Sequence, residues 1–150
     1  MKIYLDACCL SRLTDDQTQP RVRWEAEAVE RVFQSIQHRL AIWVSSEALL
    51  DEILQNPIPK RRAEAQALFK FSSEIYQIDA ATSDRARQLE AAGYGSYDAL
   101  HLAAAESAKV DFLLSTDDRF VRKAFRGLGS PLVAVRNPVS WVKEHLIDRF

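Results

Sequence analysis

An α/β sandwich built on a mainly parallel sheet is the fold class this sequence predicts, on three observations. Short apolar runs recur along the chain (KIYLD, LAIWV, EIYQI, DFLLS and PLVAV), each too short and too apolar to face water. Helical patterns separate them, the alternation that builds parallel sheets. Acids sit at the C-terminal ends of these runs or in the first turns of the helices that follow. At that edge of an open α/β sheet, loops and helix N-termini converge on ligands.

Each element has its own local reason. KIYLD (2–6) is a β-favouring run that stops at an acid. After the polar loop TDDQTQP, the segment VRWEAEAVERVFQSIQ places Trp24, Ala28, Val32 and Ile36 at four-residue spacing, which predicts an amphipathic helix. LAIWV (40–44) is the second strand, and the serines of SSEALLDEIL cap a helix carrying Leu49, Leu50, Ile53 and Leu54. Pro57 and Pro59 break that helix, KRRAEAQALFKFS forms another, and EIYQI (74–78) is a short strand. ATSDRARQLEAAG reads as a helix with Thr82 or Ser83 as cap and Gly93 as the residue beyond its end. Ser96 then caps YDALHLAAAESAK, whose alanine and leucine content predicts burial on most sides. DFLLS is a strand, DDRFVRKAF a short basic helix, PLVAV the last strand and NPVSWVKEHL the last helix.

With 150 residues, 47% of them hydrophobic and 27% charged, the chain is the size of one ordinary domain, taken as residues 1–150, without repeats or linkers. It has no apolar run long enough to span a bilayer, and MKIYLDACCL lacks the apolar core and cleavage site of a signal peptide, so a cytoplasmic protein is expected. Cys8 and Cys9 are adjacent and have no second pair to join, which predicts reduced, buried thiols and excludes a zinc site. A net charge of −1 gives no global signature of nucleic-acid binding. The charge is uneven, however: Arg119, Arg122, Lys123 and Arg126 follow one another without an intervening acid, and Lys60, Arg61 and Arg62 form a second cluster.

The acids carry the chemistry. Asp6 ends the first strand, Glu52 lies in the helix after the second, Asp98 opens the alanine-rich helix and Asp117 follows the LLS strand. Four carboxylates meeting at one edge cannot all stay ionised without compensating positive charge, which a divalent cation supplies. All-oxygen ligation favours Mg²⁺ or Mn²⁺. Such a site suits phosphodiester hydrolysis, with the basic residues beyond it meeting a phosphate backbone. His101, one turn after Asp98, reads as a packed core residue, and Trp24, Trp43 and Trp141 as core or interface anchors. Arg21 and Arg23 flank the first long helix and could reach phosphates or a partner's acids.

Taken together, YLDACCLSRL, a strand followed by SSEALLDEI, the segment SYDALHLAAAE and the closing LLSTDDRF resemble a PIN domain, and in length and order the VapC-type bacterial toxins. The resemblance covers nearly the whole chain, least of all residues 12–40. It implies a three-layer α/β/α sandwich with a mainly parallel central sheet and a Mg²⁺- or Mn²⁺-dependent endoribonuclease. By position, Asp6, Glu52, Asp98 and Asp117 match the family's four acids; Glu52 is preferred to Glu47 and Asp51 by its spacing from Ser46. Ser115 takes the hydroxyl position before Asp117 and, with Arg119, Arg122, Lys123 and Arg126, makes up the expected substrate-binding set. Asp118 is a fifth metal contributor or a helix cap. The resemblance also implies a cognate antitoxin, a homodimer and an RNA substrate. One position departs: the family often carries Asn, Ser or Thr two residues after the first acid, and this chain has Cys8.

Two other functions compete. A PIN-fold module could bind RNA or protein without cleaving it, a reading that Cys8 and the mild net charge favour. Other α/β phosphotransfer enzymes also place Asp at strand ends, but the residue two after Asp6 is Cys8 rather than an acid, and the middle strand ends in WVSS rather than in a phospho-acceptor.

Overall fold

The computed structural model describes residues 1–146. In chain order the elements are β1 (Lys2–Leu5), α1 (Ala7–Ser11), α2 (Pro20–Gln37), β2 (Ile42–Ser46), α3 (Glu47–Leu54), α4 (Pro59–Phe69), β3 (Glu74–Tyr76), α5 (Ala80–Ala92), α6 (Ser96–Ser107), β4 (Phe112–Leu114), α7 (Asp118–Phe125), β5 (Ala134–Arg136) and α8 (Pro138–His145). The five strands form one sheet in the order β3-β2-β1-β4-β5, and every pairing is parallel.

Alternation along the strands divides the core in two. Ile3, Leu5, Trp43 and Leu114 pack into one layer with Cys9, Leu10, Val29, Val32, Leu49 and Trp141. Tyr4, Val44, Leu113 and Val135 point the other way, onto Leu89, Leu102, Ala103 and Phe120. Successive strand residues face opposite sides, so a sheet covered by helices on both faces reads as continuous apolar sequence. The result is the expected three-layer α/β/α sandwich.

Strand order decides where a ligand can sit. The chain moves from β1 outward to β2 and β3, then returns to place β4 on the other side of β1. Crossover loops therefore part above the C-terminal ends of β1 and β4, the position of ligand crevices in open α/β sheets. Asp6 and Asp117 stand at those two ends, and the Asp6 N–H donates to the Leu114 carbonyl at 3.2 Å.

Several local expectations are corrected. The residues after Asp6 form the short helix α1, and Asp6 is its N-cap instead of the last strand residue. Asp79 caps α5, its carboxylate accepting from the Thr82 N–H and hydroxyl, so Thr82 is bound by the cap. Gly95 precedes α6 at the cap position and Ser96 is its first helical residue. Trp43 and Trp141 are core residues as expected, but Trp24 is 59% exposed. A row of residues four apart turns by about 40° per step around a helix of 3.6 residues per turn. By Trp24 that row has left the buried face, which at that turn passes through Glu25.

Candidate acidic site

Each acid is held by a different element. Asp6 is 3% exposed; its Oδ1 accepts from the Cys9 N–H at 3.3 Å, the hydrogen bond of an N-cap. Asp117 caps α7, its Oδ1 accepting from the N–H groups of Arg119 and Phe120 at 2.9 and 3.3 Å. Asp98 lies in the first turn of α6, where the positive helix end favours a carboxylate. Glu52 projects from α3, its Oε1 2.8 Å from Nε2 of His101.

The neighbours of Glu52 are engaged elsewhere. The Glu47 carboxylate accepts from the Ile78 N–H at 2.8 Å, and Asp51 accepts from the Tyr97 hydroxyl at 2.8 Å. Asp51 and Glu52 are thus both linked to the helix that carries Asp98, Asp51 through Tyr97 and Glu52 through the buried His101.

Electrostatics ties the four acids together. Burial first, and then the charges of Asp6 and Asp117 and, more weakly, Glu52, raise the Asp98 carboxyl to about 6. Burial likewise raises Asp6 well above the usual carboxylate range, with Cys8 the next cause. Cys8 Sγ donates to Asp6 Oδ1 at 2.7 Å. Hydrogen bonding, first to Cys9 and then to Asp6, Ser115 and Thr116, outweighs burial and lowers the Cys8 thiol to about 6.

Oxygen donors under mutual repulsion fit a hard divalent cation, which removes the cost that raises Asp98 and Asp6. Among the described residues, the one set of three metal-capable side chains whose ligand atoms all lie within 4.8 Å of one another is Asp6, Cys8 and Cys9. The four acids share a field without closing to that distance as a set. Cys9 is fully buried and its thiol donates to the Leu114 carbonyl at 3.2 Å, which points it into the sheet. Cys8 is half-buried. Both thiols are free, as expected, but the expectation of burial holds for Cys9 alone.

Around the acids, the expected substrate set divides. Ser115 is fully buried; its hydroxyl accepts from the Asp117 N–H at 3.1 Å and so braces the loop that carries that acid. Lys123 donates from Nζ to the Gly93 carbonyl at 2.8 Å, while Arg119, Arg122 and Arg126 stay exposed. Asp118 does not cap α7, since Asp117 does. Arg21 donates to both its oxygens at 2.6 and 2.8 Å, holding the carboxyl below its ordinary range. Arg21 also donates to the Thr116 carbonyl at 3.2 Å, and so ties α2 to the loop that carries Asp117. Arg21, which the sequence places within reach of phosphates or a partner's acids, forms an ion pair within the chain. A participant that the sequence does not single out is Tyr4, whose hydroxyl lies 2.6 Å from both His101 Nδ1 and Ser46 Oγ.

The family model described as "PIN domain" matches residues 3–126. No curated protein matches the sequence. Among solved structures, a chain of the "Crystal structure of VapBC2 from Rickettsia felis bound to a DNA fragment from their promoter" is similar, with a TM-score of 0.58 and 12% identity over 91% of this chain and 98% of that one. At that identity the likeness is one of fold. No helix among the described residues is long and apolar enough to cross a membrane.

Proposed function

Because the chain belongs to the PIN domain family, whose members are nucleases, we propose that it is a Mg²⁺- or Mn²⁺-dependent endoribonuclease that hydrolyses RNA phosphodiester bonds at the acidic edge of β1 and β4. The observation that carries this reading is the shared field at Asp98, raised to about 6 by burial and by the charges of Asp6, Asp117 and Glu52. Acids gathered at such cost need a purpose, and holding a divalent cation is the one that their chemistry fits.

Asp6, Glu52, Asp98 and Asp117 would hold the ion, which when bound supplies an activated water and neutralises charge on the phosphate. The protein's own contribution is placement. The N-terminal N–H groups of α1 and α7 fix the Asp6 and Asp117 carboxylates. Ser115 holds the loop that carries Asp117. Arg119, Arg122 and Arg126, with Lys123 at their edge, would meet the RNA backbone through charge, which places the substrate without reading its sequence.

The description of the structural neighbour as VapBC2 bound to promoter DNA supports the further reading that this chain is the toxin of a toxin–antitoxin pair. A cognate antitoxin, a homodimer and a cytoplasmic setting belong to that reading. The decisive experiment is cleavage of total RNA by the purified protein with Mg²⁺ or Mn²⁺, beside its Asp98→Asn variant. Metal-dependent cleavage that disappears in the variant is the expected result. Absence of both cleavage and metal binding would leave the rival, a PIN-fold module that binds RNA or protein without cutting. The contact between Cys8 and Asp6 favours that rival, since it occupies an oxygen of the first acid.

A further inference from the structure

We propose that His101 is a positioning residue for Glu52: a buried imidazole that fixes the carboxylate at the metal-facing edge and is itself aimed by Tyr4 and Ser46. The inference rests on the nuclease reading and assigns a task to a side chain that the four-acid scheme leaves unused.

Glu52 needs such a partner. Its side chain is 30% exposed, has several rotatable bonds and interacts with the charge of Asp98. Left alone, it would gain by swinging into water, away from the repulsion. His101, 1% exposed and on a different helix, donates to Glu52 Oε1 at 2.8 Å and holds it in place.

The ring itself cannot turn freely. Tyr97 stacks over it at a centroid distance of 6.1 Å and an interplanar angle of 20°, and the Tyr4 ring tilts against it at 5.5 Å. An ionised carboxylate has no hydrogen to give, so Nε2 carries the one in the bond to Glu52. Nδ1 is left to accept from the Tyr4 hydroxyl at 2.6 Å, and the Tyr4 oxygen accepts in turn from Ser46 at 2.6 Å. Ser46 Oγ meanwhile accepts from the Leu49 N–H at 3.2 Å, which anchors the chain to the first turn of α3, the helix that carries Glu52. The bonds therefore close a loop: β2 end, β1, α6, Glu52 and back through α3. Filling the same space among Ala99, Leu102 and Ala103 would require no polar atom, and two buried ring nitrogens are costly unless both are bonded. Here both are bonded, and one bond ends on a candidate ligand.

Partners that orient a metal ligand from behind affect affinity or activity by about 10- to 100-fold. The test compares wild type, His101→Leu, His101→Gln, Glu52→Gln and the Glu52→Gln/His101→Leu double variant by Mn²⁺ titration calorimetry and steady-state cleavage of an RNA oligonucleotide, with thermal melts as the folding control. His101→Leu should lower Mn²⁺ affinity and kcat by about 10- to 100-fold while KM for RNA stays put. His101→Gln, whose amide offers an N–H near the place of Nε2, should recover most of the loss. In the Glu52→Gln background, His101→Leu should cost nothing further, because its route of action is already gone.

Wild-type Mn²⁺ affinity in a folded His101→Leu protein, or an equal loss in both backgrounds, would overturn the inference. Should His101→Leu not fold, the same cycle on Tyr4→Phe decides: a loss confined to the Glu52 background supports it, and no loss or an equal loss overturns it. A wild-type protein that neither binds Mn²⁺ nor cuts RNA overturns the nuclease reading and this inference with it, whereas metal-dependent cutting that His101→Leu leaves intact overturns the inference alone.

Discussion

Cys8 Sγ lies 2.7 Å from Asp6 Oδ1 and also accepts from the Thr116 N–H at 3.3 Å, so a thiol bridges the ends of β1 and β4 beside the first acid. Sulfur is a softer ligand than oxygen and a poorer hydrogen-bond partner for a hydrated cation. The wild-type protein should therefore prefer Mn²⁺ over Mg²⁺ by a wider margin than its Cys8→Ser variant. Calorimetric titration of both ions into both proteins checks this; equal Mn²⁺-to-Mg²⁺ ratios would refute a role for Cys8 in ion choice.

Asp98→Asn should make the metal-free protein more stable at pH 7.5 while removing metal binding and cleavage. Burial and the charges of Asp6 and Asp117 oppose ionisation of Asp98, and the amide removes that charge without changing the shape. Each kcal/mol regained raises the Tm by about 2–4 °C in a chain of this size. A variant melting at or below the wild-type temperature would contradict this.

The same residue sets a pH dependence whose sign follows from its shift. Its folded carboxyl is raised from 3.8 to about 6, so the folded state binds the proton more tightly than the unfolded chain. Its contribution to stability is therefore full below about 4 and declines as pH rises through about 6. The Tm advantage of Asp98→Asn over wild type, measured without metal, should shrink as the buffer is taken from pH 7.5 to pH 5. Wild-type affinity for Mn²⁺ should fall over the same range, because protons compete for Asp98. A Tm difference independent of pH would remove Asp98 as the titrating group.

Neighbouring aspartates should separate cleanly. Asp118→Asn breaks an exposed pair with Arg21, an interaction worth at most about 1 kcal/mol, and should leave Mn²⁺ affinity as it was. Asp117→Asn keeps an effective helix cap, since Asn and Asp cap about equally well, but removes a charge from the site. It should melt like wild type and bind Mn²⁺ more weakly. The reverse pattern would make Asp118 the ligand.

Much of this was legible in the sequence because its signals are local. Five apolar runs with helices between them specified the layers, and the order of the acids specified at which edge of the sheet the candidate ligands lie. Helix α1 escaped because ACCLS is as apolar as the strand before it, and only the Asp6 carboxylate bonded to the Cys9 N–H turns the chain into a helix there. The sequence leaves Asp118 between cap and ligand because its partner lies 97 residues away: Arg21 on α2 takes its charge. His101 read as core, which its burial bears out; that its second nitrogen reaches Glu52, 49 residues away, depends on how α3 packs beside α6.

The sequence by itself determined the fold class, the parallel sheet and the identity of the candidate acids, since hydrophobic period and strand-end position are properties of neighbouring residues. Tertiary structure alone decided what surrounds each acid: which oxygen Cys8 occupies, which carboxyl Arg21 neutralises and which one His101 holds. Those partners lie on other strands and helices. A field among charges depends on distance and burial, and both arise only when the sheet order brings β1 and β4 side by side.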